Sequence, residues 1–243
     1  MGILLSLIFA WTAAAHADEN DWQVPFITTP GDVVERMLEL AGTRPGDLVA
    51  DLGSGDGRIV IAAARKYGAR GLGIELDAKL VEQSRDNARK AGVADRVTFV
   101  QGDVLEADFS KATVVTVYLL PNLISQLEPR FLSQLRPGTR IVSHSFRMES
   151  WRPDRTVSMR VSQPHPGQGD ESTLFLWIVP ADVRGTWAGA GQRLRIEQNY
   201  QEIDVDGVRG VLAGNAVSWA GFRGRVEGNR IVGDDGRVLE RER

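Results

Sequence analysis

The 243-residue chain has no cysteine, and its three histidines, His16, His144 and His165, are scattered. Without thiols it can build no disulfide, thiolate nucleophile, iron–sulfur cluster or zinc-thiolate site. Isolated histidines argue equally against a histidine-built metal centre. There is no excess of either charge: 29 Lys+Arg against 32 Asp+Glu leave a net charge of −3. The electrostatic footprint of strong nucleic-acid binding is therefore missing, and no nucleic-acid partner is expected. Long apolar runs are also lacking. The run Ile3–Ala15 has 13 residues, short of the about 20 that a membrane-spanning helix needs. What the chain does have is 42% hydrophobic and 25% charged residues, with 26 glycines. That is a globular composition, which excludes wholesale disorder. Its chemistry must then rest on an organic cofactor or on backbone geometry.

The apolar run ends in Ala15-His16-Ala17, a small-x-small pattern, and acidic residues follow. Residues 1–17 therefore read as a secretory signal peptide, which would place the protein outside the cytoplasm or in the periplasm. Only Met1-Gly2 precedes the run, with no Lys or Arg. An uncleaved anchor giving membrane association stays open on that ground.

Residues 22–180 read as one α/β domain in which helical and strand patterns alternate around a mostly parallel sheet. Helices are expected from Gly31 to Gly42 and at Arg58–Tyr67, Ala78–Ala91 and Leu123–Leu135. Strands are expected at Leu48–Leu52, Arg70–Ile74, Val97–Gln101, Thr113–Leu119 and Arg140–Ser145, with two more near Thr156–Ser162 and Ser172–Val179. After Pro180 glycine becomes frequent and helical periodicity stops. Leu194–Val205, Gly210–Trp219, Phe222–Val226 and Arg230–Val232 suggest an antiparallel meander, so 181–243 reads as a small all-β appendage.

Between the first strand and the second helix lies Asp51-Leu52-Gly53-Ser54-Gly55-Asp56-Gly57. Glycines there allow positive φ and a close approach of the backbone to a ligand, at the strand end where open α/β sheets bind one. A nicotinamide dinucleotide favours G-x-G-x-x-G, but the third glycine position counted from Gly53 is Arg58. The acid at Asp51 repels a pyrophosphate and suits a cationic ligand without phosphate, and S-adenosyl-L-methionine has an ammonium and a sulfonium. Glu75 ends the second strand, 24 residues after Asp51, where a carboxylate can accept both ribose hydroxyls. Asp103 follows the third strand, suited to the adenine amino group, with Val104 against the ring. Taken singly, each acid is as readily a cap or turn residue; together they point into one crevice.

On these three motifs, residues 47–148 resemble a class I S-adenosylmethionine-dependent methyltransferase. The resemblance implies a doubly wound, Rossmann-like sheet and methyl transfer. Val24-Pro25-Phe26-Ile27-Thr28-Thr29-Pro30, Tyr118-Leu119-Leu120-Pro121-Asn122 and Gly138-Thr139-Arg140-Ile141-Val142-Ser143-His144 narrow it further. They are similar to the small protein-lysine methyltransferases that act on the c-ring protein of ATP synthase and the adenine nucleotide translocase. That likeness implies a protein substrate presenting a lysine side chain. It also implies that Phe26 and Thr29 close over the cofactor, although Pro25 and Pro30 alone account for an extended lead-in. The appendage lies outside the resemblance.

In-line displacement at a sulfonium needs proximity and alignment more than a general base. The acceptor is expected at the end of the fourth strand, beside Tyr118, Pro121 and Asn122. Tyr118 could hydrogen-bond an amine or simply fill the core, and Asn122 fits a helix cap. The polar residue that enzymes methylating planar amines place before the proline is Leu120 here. His144 could serve as a base, though a histidine satisfied by its neighbours is commoner. A rival class is a non-catalytic exported scaffold whose β appendage binds a partner. If residues 1–17 are cleaved, N-terminal sequencing of the protein from its own host begins at Asp18. A start at Met1 or Gly2 in the membrane fraction indicates an anchor instead.

Overall fold

The computed structural model describes residues 27–165 and 169–242, with backbone only at 163–165. Phe26, the apolar run 3–15 and the start of the 24–30 motif lie outside the described residues. Helix α1 (Gly31–Leu40) leads into β1 (Leu48–Leu52), α2 (Arg58–Tyr67), β2 (Arg70–Glu75), α3 (Ala78–Lys90) and β3 (Val97–Gln101). Then come β4 (Val114–Val117), α4 (Pro121–Gln134), β5 (Arg140–His144), β6 (Arg155–His165) and β7 (Gly169–Ile178). These seven strands form one sheet in the order β3-β2-β1-β4-β5-β7-β6. Strands β1 to β5 are parallel, and β7 is antiparallel to both its neighbours. The order reverses direction beside β1, the switch point where such sheets open a crevice at their carboxyl ends.

The two faces are covered unequally. Three helices, α1 to α3, pack Val33, Met37, Leu38, Val60, Ala64 and Val81 onto one face. The other face has only α4 among the described residues, through Ile124, Leu127 and Phe131, with Phe109, Trp151 and Trp177 from loops and strand. The described links from β3 to β4 and from β5 to β6 contain no helix. Glycines in β2 make the first packing close. A Cβ at Gly71 would stand 2.7 Å from Val60 Cβ, and one at Gly73 would stand 2.5 Å from the Phe99 ring.

The remaining strands are β8 (Gly185–Gly189), β9 (Gln192–Asn199), β10 (Glu202–Val205), β11 (Val208–Ala213), β12 (Ala216–Trp219), β13 (Phe222–Glu227), β14 (Arg230–Gly233) and β15 (Val238–Arg241). They close into an eight-stranded antiparallel barrel, with β15 pairing back onto β8. The expected open meander is thus a barrel. Leu194–Val205 and Gly210–Trp219, read as single strands, each divide in two at a tight turn: Tyr200 takes φ 53° and Gly214 φ 61°. The interior holds Trp187, Ile196, Ile203, Leu212, Phe222, Ile231 and Leu239.

Closure leaves no room for side chains at several strand glycines. A Cβ at Gly210 would lie 2.5 Å from the Ser218 carbonyl oxygen and 2.9 Å from Ile203 Cγ1. Gly210→Val should therefore cost about 1–3 kcal/mol through overpacking. The check is denaturant unfolding followed by near-ultraviolet circular dichroism; an unchanged midpoint would contradict this packing.

Candidate functional site

Asp51, Glu75 and Asp103 stand at the carboxyl ends of the adjacent strands β1, β2 and β3, and the loop Gly53–Gly57 lies between the first two. Gly53, Gly55 and Gly57 all take positive φ, which L side chains adopt only with strain. At Gly57 a Cβ would also press to 2.7 Å from the Phe99 ring and 3.1 Å from Ser84 Cβ. From above, α3 holds the loop: Ser84 Oγ donates to the Gly55 carbonyl at 2.7 Å and Asn87 Nδ2 to the Asp56 carbonyl at 3.0 Å.

The loop turns its amides inward. Gly53 and Ser54 both donate to the Ile74 carbonyl, Gly57 to that of Ser54, and Gly55 to Glu75 Oε2 at 2.8 Å. At the N-terminus of α2, where a dinucleotide-binding fold docks phosphate, the Asp56 carboxylate takes the Arg58 amide at 3.3 Å and the Arg58 guanidinium at 2.6 and 2.9 Å. A phosphate would find its donors occupied and a carboxylate in its place. A cation meets carboxylates. S-adenosylmethionine therefore fits this donor set, and a dinucleotide does not.

The three acids differ in setting. Asp51 is 3% exposed, and its Oδ1 accepts from Thr116 Oγ1 at 2.7 Å. Burial, reinforced by the nearby Glu75 and Asp56 charges, pushes its carboxyl up to about 7 despite that hydrogen bond. Glu75 is half-buried; its Oε1 accepts from the Asp77 amide at 3.0 Å, and each oxygen keeps a further lone pair for a ribose hydroxyl. Asp103 is exposed, with Oδ1 on the Leu105 amide at 2.8 Å. Val104 beside it is half-buried. Ser54 Oγ is buried over Gly73 and has no hydrogen-bond partner among the described residues. Leu76, the residue after Glu75, is 70% exposed. A leucine so open at a strand tip offers an apolar face that an adenine could cover. The sequence reading missed it because an isolated leucine gives no signal.

Thr29 is buried where the N-terminal segment crosses the site. Its carbonyl accepts from Arg58 Nη1 at 2.9 Å, and its Oγ1 faces His144 Nδ1 at 3.5 Å. Arg58 therefore ties this segment to the glycine loop, a role that its spacing did not reveal. Tyr118 lies just past β4, half-buried, with its ring 4.3 Å from the His144 ring and 6.3 Å from Phe146. Burial raises the Tyr118 pKa, so it stays a phenol and donates. His144 is fully buried, with Nε2 3.0 Å from Ser172 Oγ. That burial between hydroxyls suits positioning of Tyr118 rather than abstraction of a proton from an acceptor. Asn122 is not the helix cap: Leu120 is the cap residue, and Pro121, whose fixed φ suits the first helical position, starts α4 earlier than expected. Asn122 and Pro121 are exposed in the first turn beside Tyr118.

Comparison with known proteins points to the same cofactor and to methyl transfer. The ANTKMT methyltransferase domain family matches residues 51–155. A protein-lysine N-methyltransferase of Saccharolobus islandicus is 42% identical over 157 residues, covering 64% of this chain and 94% of that protein. The adenine nucleotide translocase lysine N-methyltransferase of Mus musculus is 37% identical over 135 residues, which make up 56% of this chain and only 58% of that protein. Among solved structures, an RNA methyltransferase from Salinibacter ruber in complex with S-adenosyl-L-homocysteine shares 53% identity and a TM-score of 0.59, over 65% of this chain and 96% of that one. The barrel strands, from Gly185 to Arg241, lie beyond the matched family domain.

With Asp51 raised to about 7, its contribution to folding stability is full below about pH 4 and lost as pH rises through 7. A bound cation reverses the preference and favours the carboxylate. Calorimetric titration with S-adenosylmethionine should show affinity rising with pH across 6 to 8, with proton release near pH 6. Asp51→Asn should weaken binding and abolish the pH dependence, and Glu75→Ala should weaken it at every pH. A pH-independent wild type, or undiminished binding in both variants, would contradict the assignment.

Proposed function

We propose that this chain, which belongs to the family of S-adenosylmethionine-dependent protein-lysine N-methyltransferases, transfers a methyl group to the amine of a protein lysine side chain. It is an S-adenosylmethionine-dependent methyltransferase; the acceptor is the proposal. The observation that carries it is the apolar acceptor end: Leu119, Leu120 and Pro121 follow Tyr118, with Leu120 43% exposed at the rim. Such a surface desolvates an ammonium and lowers its pKa, which frees the lone pair. The names of the Saccharolobus and mouse relatives support the same acceptor.

The bound cofactor supplies an electrophilic methyl whose leaving group is a neutral thioether, so the protein provides no acid. Its residues align instead. Asp51 and Glu75 would hold the cationic and ribose parts, Asp103, Val104 and Leu76 the adenine, and the glycine loop its backbone surface. Tyr118 and Pro121, and Asn122 beside them, would frame the incoming amine. The amine would lose its proton to water among Leu119, Leu120 and Pro121, leaving its nitrogen free to take the methyl group that the cofactor would supply. Arg58 and Thr29 keep the N-terminal segment on the site, where Phe26 is proposed to close over the cofactor. No helix among the described residues is long and apolar enough to cross a membrane. Export or membrane association through residues 1–17 is part of the proposal.

RNA is the second reading, since the Salinibacter relative is described as an RNA methyltransferase. Incubating the protein with tritiated S-adenosylmethionine and host extract separates the two. The label is expected in protease-sensitive material yielding methyllysine. Label that ribonuclease removes would overturn the lysine reading.

A further inference from the structure

The sheet face covered by α4 alone has a second support. The loop Ser145–Asp154 joins β5 to β6 without a helix and buries Trp151 completely. The Trp151 carbonyl accepts from Trp177 Nε1 at 2.8 Å, and its own Nε1 donates to Gln201 Oε1 at 2.8 Å. Its indole stacks on Tyr200, with ring centroids 5.4 Å apart and planes 10° from parallel. Gln201 Nε2 then donates to the Arg152 carbonyl at 2.6 Å. Tyr200 reaches the other way, donating from its hydroxyl to Glu128 Oε1 of α4 at 2.6 Å. Glu128 is buried, where an unpaired carboxylate would be costly.

Tyr200 and Gln201 are the two-residue turn between β9 and β10 of the barrel. One barrel turn therefore grips two separate elements that both run to the acceptor end. Glu128 lies seven residues from Pro121, two helical turns along nearly the same face of α4. The Trp151 loop begins beside Phe146, which faces the Tyr118 ring. Phe146 is itself fixed by a tight turn: its amide donates to the His144 carbonyl at 2.8 Å, and its carbonyl accepts from Ser143 Oγ. Among the described residues, the hydrogen bonds of the glycine loop and the three carboxylates run within the sheet domain, not to the barrel.

We propose that the barrel turn Tyr200–Gln201 is a positioning device for the methyl acceptor, Tyr200 setting α4 through Glu128 and Gln201 setting the Phe146 loop through Trp151. The proposal rests on the methyltransferase reading, in which the acceptor enters at the end of β4. It gives the barrel a role at one half of the site only. Cofactor binding stays independent of it, because β1 to β3 and their loop carry that half.

The test uses the full chain with Tyr200→Phe, Gln201→Leu, Glu128→Leu and, on the far side of the barrel, Arg237→Gln. Binding of S-adenosylhomocysteine should stay within about twofold of wild type in all four, since none touches that half of the site. The concentration of the protein fraction labelled by wild type that gives half-maximal transfer should rise roughly tenfold for Tyr200→Phe and Gln201→Leu, as misplaced acceptors do. Arg237→Gln should leave it unchanged. Glu128→Gln, which keeps an acceptor for the Tyr200 hydroxyl, should lose less than Glu128→Leu. Amide hydrogen exchange reads the clamp without any acceptor, so failure of the methyl-transfer reading and failure of this proposal are distinguishable. In Tyr200→Phe and Gln201→Leu, exchange should accelerate at 119–127 and 144–152 and not at 51–58. Uniform acceleration through the sheet, no acceleration, or equal losses of cofactor binding and transfer would overturn the proposal.

Discussion

The cofactor half of this protein depends on one close approach, the glycine loop lying directly on the end of β2. That approach exists because Cβ atoms are missing at Gly57 and Gly73, where the Phe99 ring occupies the space on both sides. Once the loop lies there, its amides at Gly53, Ser54 and Gly55 are drawn to the Ile74 carbonyl and Glu75. The ligand then meets carboxylates rather than a cradle of N–H groups. Preference for a cation over a phosphate is thus a consequence of packing as much as of the acidic residues themselves, and Asp56 completes it by filling the helix N-terminus with negative charge of its own.

The three acids differ in their surroundings. Asp51 is buried beside Thr116 and held partly neutral, so a positive ligand has most to offer it. Glu75 braces the loop while keeping lone pairs outward. Asp103, in water, adds direction more than energy. The end proposed for the acceptor, just past β4, carries a phenol, leucines and a proline, a surface that would strip water from an incoming amine. In the proposed reading, a polar cofactor half and an apolar acceptor half divide binding between two separately built regions.

That division extends to the architecture. The face bearing α1 to α3 is complete within the sheet domain, whereas the face bearing α4 draws on Trp151, Trp177 and the barrel residues Tyr200 and Gln201. The Tyr200 turn takes a left-handed φ of 53°, a conformation that costs about 1–3 kcal/mol in a non-glycine residue. The stack on Trp151 and the hydrogen bond to Glu128 offset that cost.

Local pattern alone determined most of the sheet domain. The strand Leu48–Leu52, the helix Arg58–Tyr67 and the strand Val97–Gln101 occur with the expected bounds, because apolar periodicity and glycine or proline stops act within a few residues. Placing Asp51, Glu75 and Asp103 at strand ends followed from the same segments. Tertiary structure decided the rest. Barrel closure joins β8 to β15 across some fifty residues, a pairing that no local window contains, and both strands escaped the sequence reading. The helix start at Pro121, the burial of His144 against Ser172 and the role of Asp56 at the α2 terminus each depend on which surfaces the fold brings together. Sequence spacing says which groups a strand end presents. Only packing says which of them are dry, which are already bonded, and which remain for a ligand.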